Sequence, residues 1–223
     1  MLDEAQGTGT VGEKTYRRIR ADVVFGRLPP GERLTLDRMR DAYEVSVSTL
    51  REMLNRLSSE GLIVAEGSRG FQVTPISAAN LREIAAMRCL LESHALRLSF
   101  EAGDMDWEGG VVAAHHKLAS MERRMAAGER SKAETWKRYD REFHRALIAA
   151  CGSEVLLEMH AQIYDRYLRY QMVAAVYRGE VAAVEHRRLL DAALKRDWKT
   201  AQATLDKHVR DCVSHMIEKR LVR

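Results

Sequence analysis

The chain has 223 residues, 46% of them hydrophobic and 30% charged, enough for two ordinary soluble domains with real cores. No run approaches ~18 apolar residues, which argues against a transmembrane helix, and the N-terminus lacks the basic-then-apolar pattern of a signal peptide, so a cytoplasmic location is expected. The net charge of +4 points only weakly to nucleic acid, and residues 1–75 carry eleven Lys/Arg against eleven Asp/Glu, so the excess lies in the second half.

Residues Met1 to Gly12 are small and polar, with three glycines, and read as a disordered tail. Glu13 to Phe25 reads as the first helix, with Tyr16, Ile19 and Val23 on one face. Gly26 ends it, and Pro29-Pro30-Gly31 turns the chain. Leu36, Met39 and Tyr43 recur at i, i+3, i+7, one face of a short helix. Leu50, Met53, Leu54 and Leu57 recur at i, i+3, i+4, i+7, one face of another. Between them, in Glu44-Val45-Ser46-Val47-Ser48, Val45 can pack inward and a serine can cap the second helix. This is a helix-turn-helix spacing. Gly61 ends the second helix. Leu62-Ile63-Val64 and Phe71-Gln72-Val73 are predicted strands flanking a Glu66–Gly70 turn. A helix-turn-helix followed by a hairpin is a winged helix. Arg38, Arg40, Arg51, Arg56 and Arg69 cluster around it.

The stretch resembles the DNA-binding domain of the GntR superfamily of bacterial transcription regulators. Gly26 to Leu34, Val45-Ser46, Arg51-Glu52, Leu54, Arg56-Leu57, Gly61-Leu62, Gly70 and Val73 carry the likeness. It implies a winged helix over residues 13–75 that binds a short inverted repeat of double-stranded DNA as a homodimer, one recognition helix per major groove. Arg38, Ser46, Ser48, Thr49, Arg51 and Arg56 are the expected contacts from the helices, with Arg69 and Gly70 at the wing tip. The chain departs from the pattern at Glu44, Val47 and Thr49, where a small residue, Arg and Pro are common. Val47 cannot donate a hydrogen bond to guanine or phosphate, so base readout is expected to differ.

Pro75-Ile76-Ser77 marks the domain boundary: proline stops the last strand and Ser77 can cap a helix. From residue 76 to the end there is no proline and no alternating strand pattern. Leu81, Ile84, Arg88, Leu91 and Ala95 share a helix face that ends at Gly103. Gly109-Gly110 is expected to fray the start of the next helix, which Gly128 ends. Four more helices are expected over about 131–150, 153–177, 181–195 and 198–221. The fold class is therefore mainly α: an N-terminal winged helix-turn-helix followed by an antiparallel six-helix bundle over 76–223.

Four polar residues sit on apolar faces of this bundle. Asp140 and His144 are one turn apart on the third helix, among Trp136, Phe143 and Leu147. His186 and His208 each lie eleven residues from a turn near Asp197, so both are ~16 Å from it at equal height on neighbouring helices. Three histidines and a carboxylate suit zinc, nickel or another divalent transition ion. The alternative is four ordinary core residues, each with its own protein partner. Cys89, Cys151 and Cys212 show no metal or redox spacing and are expected to be free thiols.

This half is similar to the FCD ligand-binding domain of the FadR-like branch of that superfamily, over roughly residues 78–215. Asp140, Phe143-His144, Glu185-His186, Leu189, Ala192 to Leu194, Asp197, Ala201 and His208 carry the likeness. It implies that Asp140, His144, His186 and His208 are metal ligands. Arg88, followed by Glu92, also fits. Arg88 either pairs internally with Glu92 or anchors a small carboxylate effector beside the metal. Two rivals stay open: an enzyme whose metal activates water, and a regulator whose metal is purely structural.

Overall fold

The structure, a computed structural model, describes residues 10–67 and 70–222. Helix α1 spans Val11–Val24. Its N-cap is Thr10, whose side chain accepts from the Glu13 N–H. The helix thus starts two residues before Glu13, inside the stretch read as tail; Met1 to Gly9 lie outside the described residues. Strand β1 (Arg33–Leu34), α2 (Leu36–Tyr43), α3 (Val47–Ser59), β2 (Ile63–Ala65) and β3 (Phe71–Val73) follow. The strands form an antiparallel sheet in the order β1-β3-β2, with Gln72 opposite both Arg33 and Val64. The two-residue β1 is too short to leave a period in the sequence. Ile19, Val23, Leu50, Leu54, Leu57 and Val73 are fully buried and form the domain's centre.

Glu44 closes α2 in the left-handed conformation, φ 55°. That conformation costs a residue with a Cβ roughly 1–2 kcal/mol, which accounts for the small residue common there in the resembling family. Ser46 caps α3 as expected, accepting from the Thr49 N–H at 3.2 Å.

The second half is all helix: α4 (Ala78–Ala102), α5 (Met105–Ala126), a 3₁₀ turn at Arg130–Lys132, α6 (Ala133–Leu147), α7 (Glu154–Val173), α8 (Glu180–Leu194) and α9 (Trp198–Glu218). Ser77, Asp104, Ser153 and Asp197 cap α4, α5, α7 and α9 through their side chains. One expectation fails: α5 runs unbroken through Gly109-Gly110. Each glycine costs a helix interior ~1 kcal/mol, but buried Trp107 and Val111 on either side, and the Asp104 cap, hold the turn. Helices α6 and α7 stop at Leu147 and Val173, short of the expected 150 and 177.

Helix α7 is the strut on which the winged helix rests. Its Tyr164 and Leu168 are part of the winged helix's own hydrophobic cluster. Arg166 covers Gly61, its guanidinium carbon 3.3 Å from where a Cβ would stand. Gly61 also takes φ +73°, so a side chain there would meet both strain and a neighbour. Arg169 donates to the carbonyls of Thr74 and Pro75 and so holds the inter-domain segment. Among the described residues no helix is long and apolar enough to cross a membrane. All three cysteines are free.

Candidate functional site

Helix α6 presents Asp140 and His144 to the bundle interior, because Trp136, Phe143 and Leu147 bury the same face. Helices α8 and α9 turn back on each other through Asp197 and bring His186 and His208 level, their ring centroids 4.9 Å apart. All four side chains are buried, and one ligand-type atom from each lies within 4.8 Å of the others.

Each histidine is held from behind by a carboxylate. His144 Nδ1 donates to Glu92 Oε1 at 2.5 Å, His186 Nδ1 to Glu122 Oε1 at 2.6 Å, and His208 Nδ1 to Glu185 Oε2 at 2.9 Å. That bond fixes each ring and leaves Nε2 as the group facing inward. Asp140 uses Oδ2 for the Tyr164 hydroxyl, at 2.9 Å, and the Lys137 ammonium, at 3.3 Å. Its Oδ1, His144 Nε2 and His186 Nε2 are buried with no hydrogen-bond partner. Oδ1 and His186 Nε2 face each other at 3.3 Å, an ion pair when the imidazole is protonated. With His186 unprotonated these are three acceptors facing one another, and such a set fits a divalent transition ion.

Without an ion, a proton takes that place. Burial works against a charge on His186, but Asp140 and Glu122 overcome it and lift its pKa to about 9. Burial pushes His208 down to about 3, against its bond to Glu185, and also lowers His144. Burial would raise the Asp140 carboxyl; Lys137 and His186 instead hold it well below the usual range. Beside the histidines lies a small cleft of about 10 Å³, lined in part by Lys137, Gln171 and Arg178. That is room for about one water-sized sphere.

Arg88 is fully buried and joins the set through Glu92. Its Nε donates to Glu92 Oε2 at 2.9 Å. Its guanidinium carbon lies 4.3 Å from the Tyr164 ring centre and 4.8 Å from that of Tyr167. Nη1 and Nη2 have no hydrogen-bond partner. One edge of the guanidinium is thus the expected internal ion pair with Glu92, and the terminal fork is spare. The carboxylates behind the histidines are absent from the expected site. Glu92 is four residues from Arg88 and could have been found. Glu122 meets His186 across 64 residues and leaves no local signal.

At the other end, α3 gathers Ser46, Ser48, Thr49 and Arg51. The Ser46 hydroxyl lies 2.9 Å from that of Ser48 and 2.8 Å from that of Thr49. Ser48 and Arg51 are exposed. Arg38 on α2 is paired with Glu32 at 2.7 Å. Arg56 is turned away from this group, onto the Tyr16 ring at 3.8 Å and Glu13 at 3.2 Å, and joins α3 to α1. Gly70 takes φ +90° after the wing turn; Arg69 lies outside the described residues.

The sequence pattern of bacterial regulatory proteins of the gntR family matches residues 12–73, and that of the FCD domain matches residues 83–211. The uncharacterized HTH-type transcriptional regulator BphR of Paraburkholderia xenovorans is 36% identical over 213 residues, 95% of this chain and 87% of its own. The HTH-type transcriptional repressor GlaR of Escherichia coli is 29% identical over 202 residues, 87% of this chain and 90% of its own. Escherichia coli McbR/YncC has the same fold, with a TM-score of 0.80 over 96% of this chain and 100% of that one at 20% identity. The family and the two sequence relatives are regulators, which removes the enzymatic alternative.

Proposed function

We propose that this chain, which belongs to the gntR family of bacterial regulatory proteins and carries an FCD domain, binds its operator in the cytoplasm as a homodimer under the control of a divalent metal and a small carboxylate held in the bundle. The family makes it a DNA-binding transcription regulator; the metal and the effector are our reading. One observation carries them: Asp140 Oδ1, His144 Nε2 and His186 Nε2 converge, buried and without a hydrogen-bond partner, beside an arginine whose terminal fork is spare. Asp140, His144, His186 and His208 would hold the ion, which would supply a positive centre for one end of a carboxylate. Arg88 would take the other end in its fork.

A row of buried groups, ending at the half-buried Glu60, joins this site to the recognition helix. Asp140 and Arg141 are neighbours on α6, and Tyr164 and Asp165 are neighbours on α7. The Tyr164 hydroxyl meets Asp140, and Arg141 holds Asp165 at 2.7 Å. Asp165 holds Arg20 of α1 at 2.5 Å, and Arg20 holds Glu60, the C-cap of α3, at 2.8 Å. An effector acts through such a row only by binding one arrangement of it better than another.

Two substitutions test the reading. Arg51→Ala should weaken operator binding by ~1–3 kcal/mol if Arg51 meets a base, with the melting temperature unchanged. Unchanged affinity in a gel-shift titration would remove Arg51 from the base contacts. Arg88→Lys should weaken binding of the effector, because an ammonium lacks the planar fork, while metal content stays whole. Calorimetry of metal-loaded wild type and variant against small mono- and dicarboxylates is the measurement. The narrow cleft favours a second reading, a purely structural ion, and a panel in which no acid binds wild type would establish it.

A further inference from the structure

We infer that Val47 determines operator specificity: its methyl groups read the C5-methyl of a thymine in the major groove, so each half-site carries a T·A pair opposite Val47. The inference rests on the reading of α3 as the recognition helix. Val47 is the first residue of α3, where helix-turn-helix proteins contact base edges. Its neighbours have other work. Ser46 is committed to the cap, and the hydroxyls of Ser46, Ser48 and Thr49 lie within hydrogen-bond reach of one another. At the N-terminus of α3 they suit a phosphate, which carries no sequence information. Leu50 is fully buried in the domain's core. Val47 is only half-buried, the one apolar side chain of residues 46–51 with surface to offer.

The chemistry of the groove leaves one partner. Every major-groove base edge presents donors or acceptors, and thymine alone adds an apolar group. A valine set against guanine N7 and O6 would strip them of water and return no hydrogen bond. Set against the thymine methyl, it buries apolar surface on both sides. A β-branched residue keeps one strongly preferred χ1 in a helix, so the methyl groups are presented without further ordering. Arg51 lies four residues on, on the same helix face, ~6 Å along the axis. At ~3.4 Å per base-pair step that places its base about two steps from the thymine.

The test uses the full chain and operator duplexes selected from random DNA. Each selected thymine is replaced in turn by deoxyuridine, which removes only the methyl group. At one position per half-site, affinity for wild type should fall about fourfold, the worth of one methyl taken out of water. Val47→Ala should lose a similar factor on the thymine duplex and be indifferent to that deoxyuridine. Val47→Arg, put through the same selection, should exchange the thymine for guanine. If no deoxyuridine costs affinity, or if its cost persists in Val47→Ala, the inference is overturned; the DNA arm does not depend on any variant folding. Arg51→Ala separates the two levels. If it changes the selected sequence while Val47→Ala does not, Val47 alone is misassigned. If neither does, α3 is not the reading helix.

Discussion

His186→Ala and His208→Ala should each strip the protein of its metal, with about one transition-metal equivalent per chain in chelator-free wild type and close to none in either variant. The reason is the way the site is built. Each ring is oriented by a carboxylate behind it, so an alanine removes a ligand already aimed into the site and leaves three of the four. Glu122→Gln and Glu185→Gln should keep the ligands but loosen them, lowering affinity ~10–100-fold. The proton that eases the ion-free site gives the pH dependence. A ligand must be deprotonated, and His186 holds its proton up to about 9. Affinity should therefore fall as pH drops below about 9, well above the ~6.5 of a free imidazole, with a proton released as the ion binds at pH 7. His208, pushed down to about 3, adds nothing to that slope above pH 5. Full metal content in both alanine variants, by elemental analysis, would show that the ion sits elsewhere.

How far the sequence carried depends on whether a feature is periodic. Helix α3 was legible because Leu50, Met53, Leu54 and Leu57 repeat at helical spacing and Ser46 caps them. The meeting of His186 and His208 was legible because equal distances from one turn set equal heights on two helices. Glu122 and Asp165 were not, because their partners come from helices far away in the chain and no local rule selects one buried polar group over another. The unbroken α5 shows tertiary packing outvoting local glycine propensity. The third strand was missed because two residues cannot display an alternation.

Asp165→Ala should cost the fold ~3–5 kcal/mol, because removing one partner of a buried ion pair leaves the others uncompensated. Asp165 is fully buried between Arg141, at 2.7 and 3.1 Å, and Arg20, at 2.5 Å. Arg20 keeps Glu60, but two guanidiniums then share a site without their common anion. In a chain of this length ~1 kcal/mol moves the melting temperature ~2–4 °C, so a fall of roughly 6–20 °C is expected by calorimetry. Asp165→Asn, which keeps one acceptor, should cost less. The sign with pH is definite. Burial would raise the Asp165 carboxyl; Arg141 and Arg20 overcome it and hold it below its usual value. Its contribution is therefore complete above the ~3.9 of a free aspartate and is lost as pH falls through the depressed value. The gap between wild type and variant should stay constant from pH 5 to 8 and close only in acid. Function should separate from stability at a temperature where both are folded. Asp165 is not a ligand, so metal content should hold, and the winged helix should still find its operator. What should shrink is the change in operator affinity on adding chelator, because the row from Asp140 to Glu60 has lost its shared member. A variant that melts like wild type would deny Asp165 its structural role. One that melts low yet keeps the full chelator response would leave it a brace between the domains and nothing more.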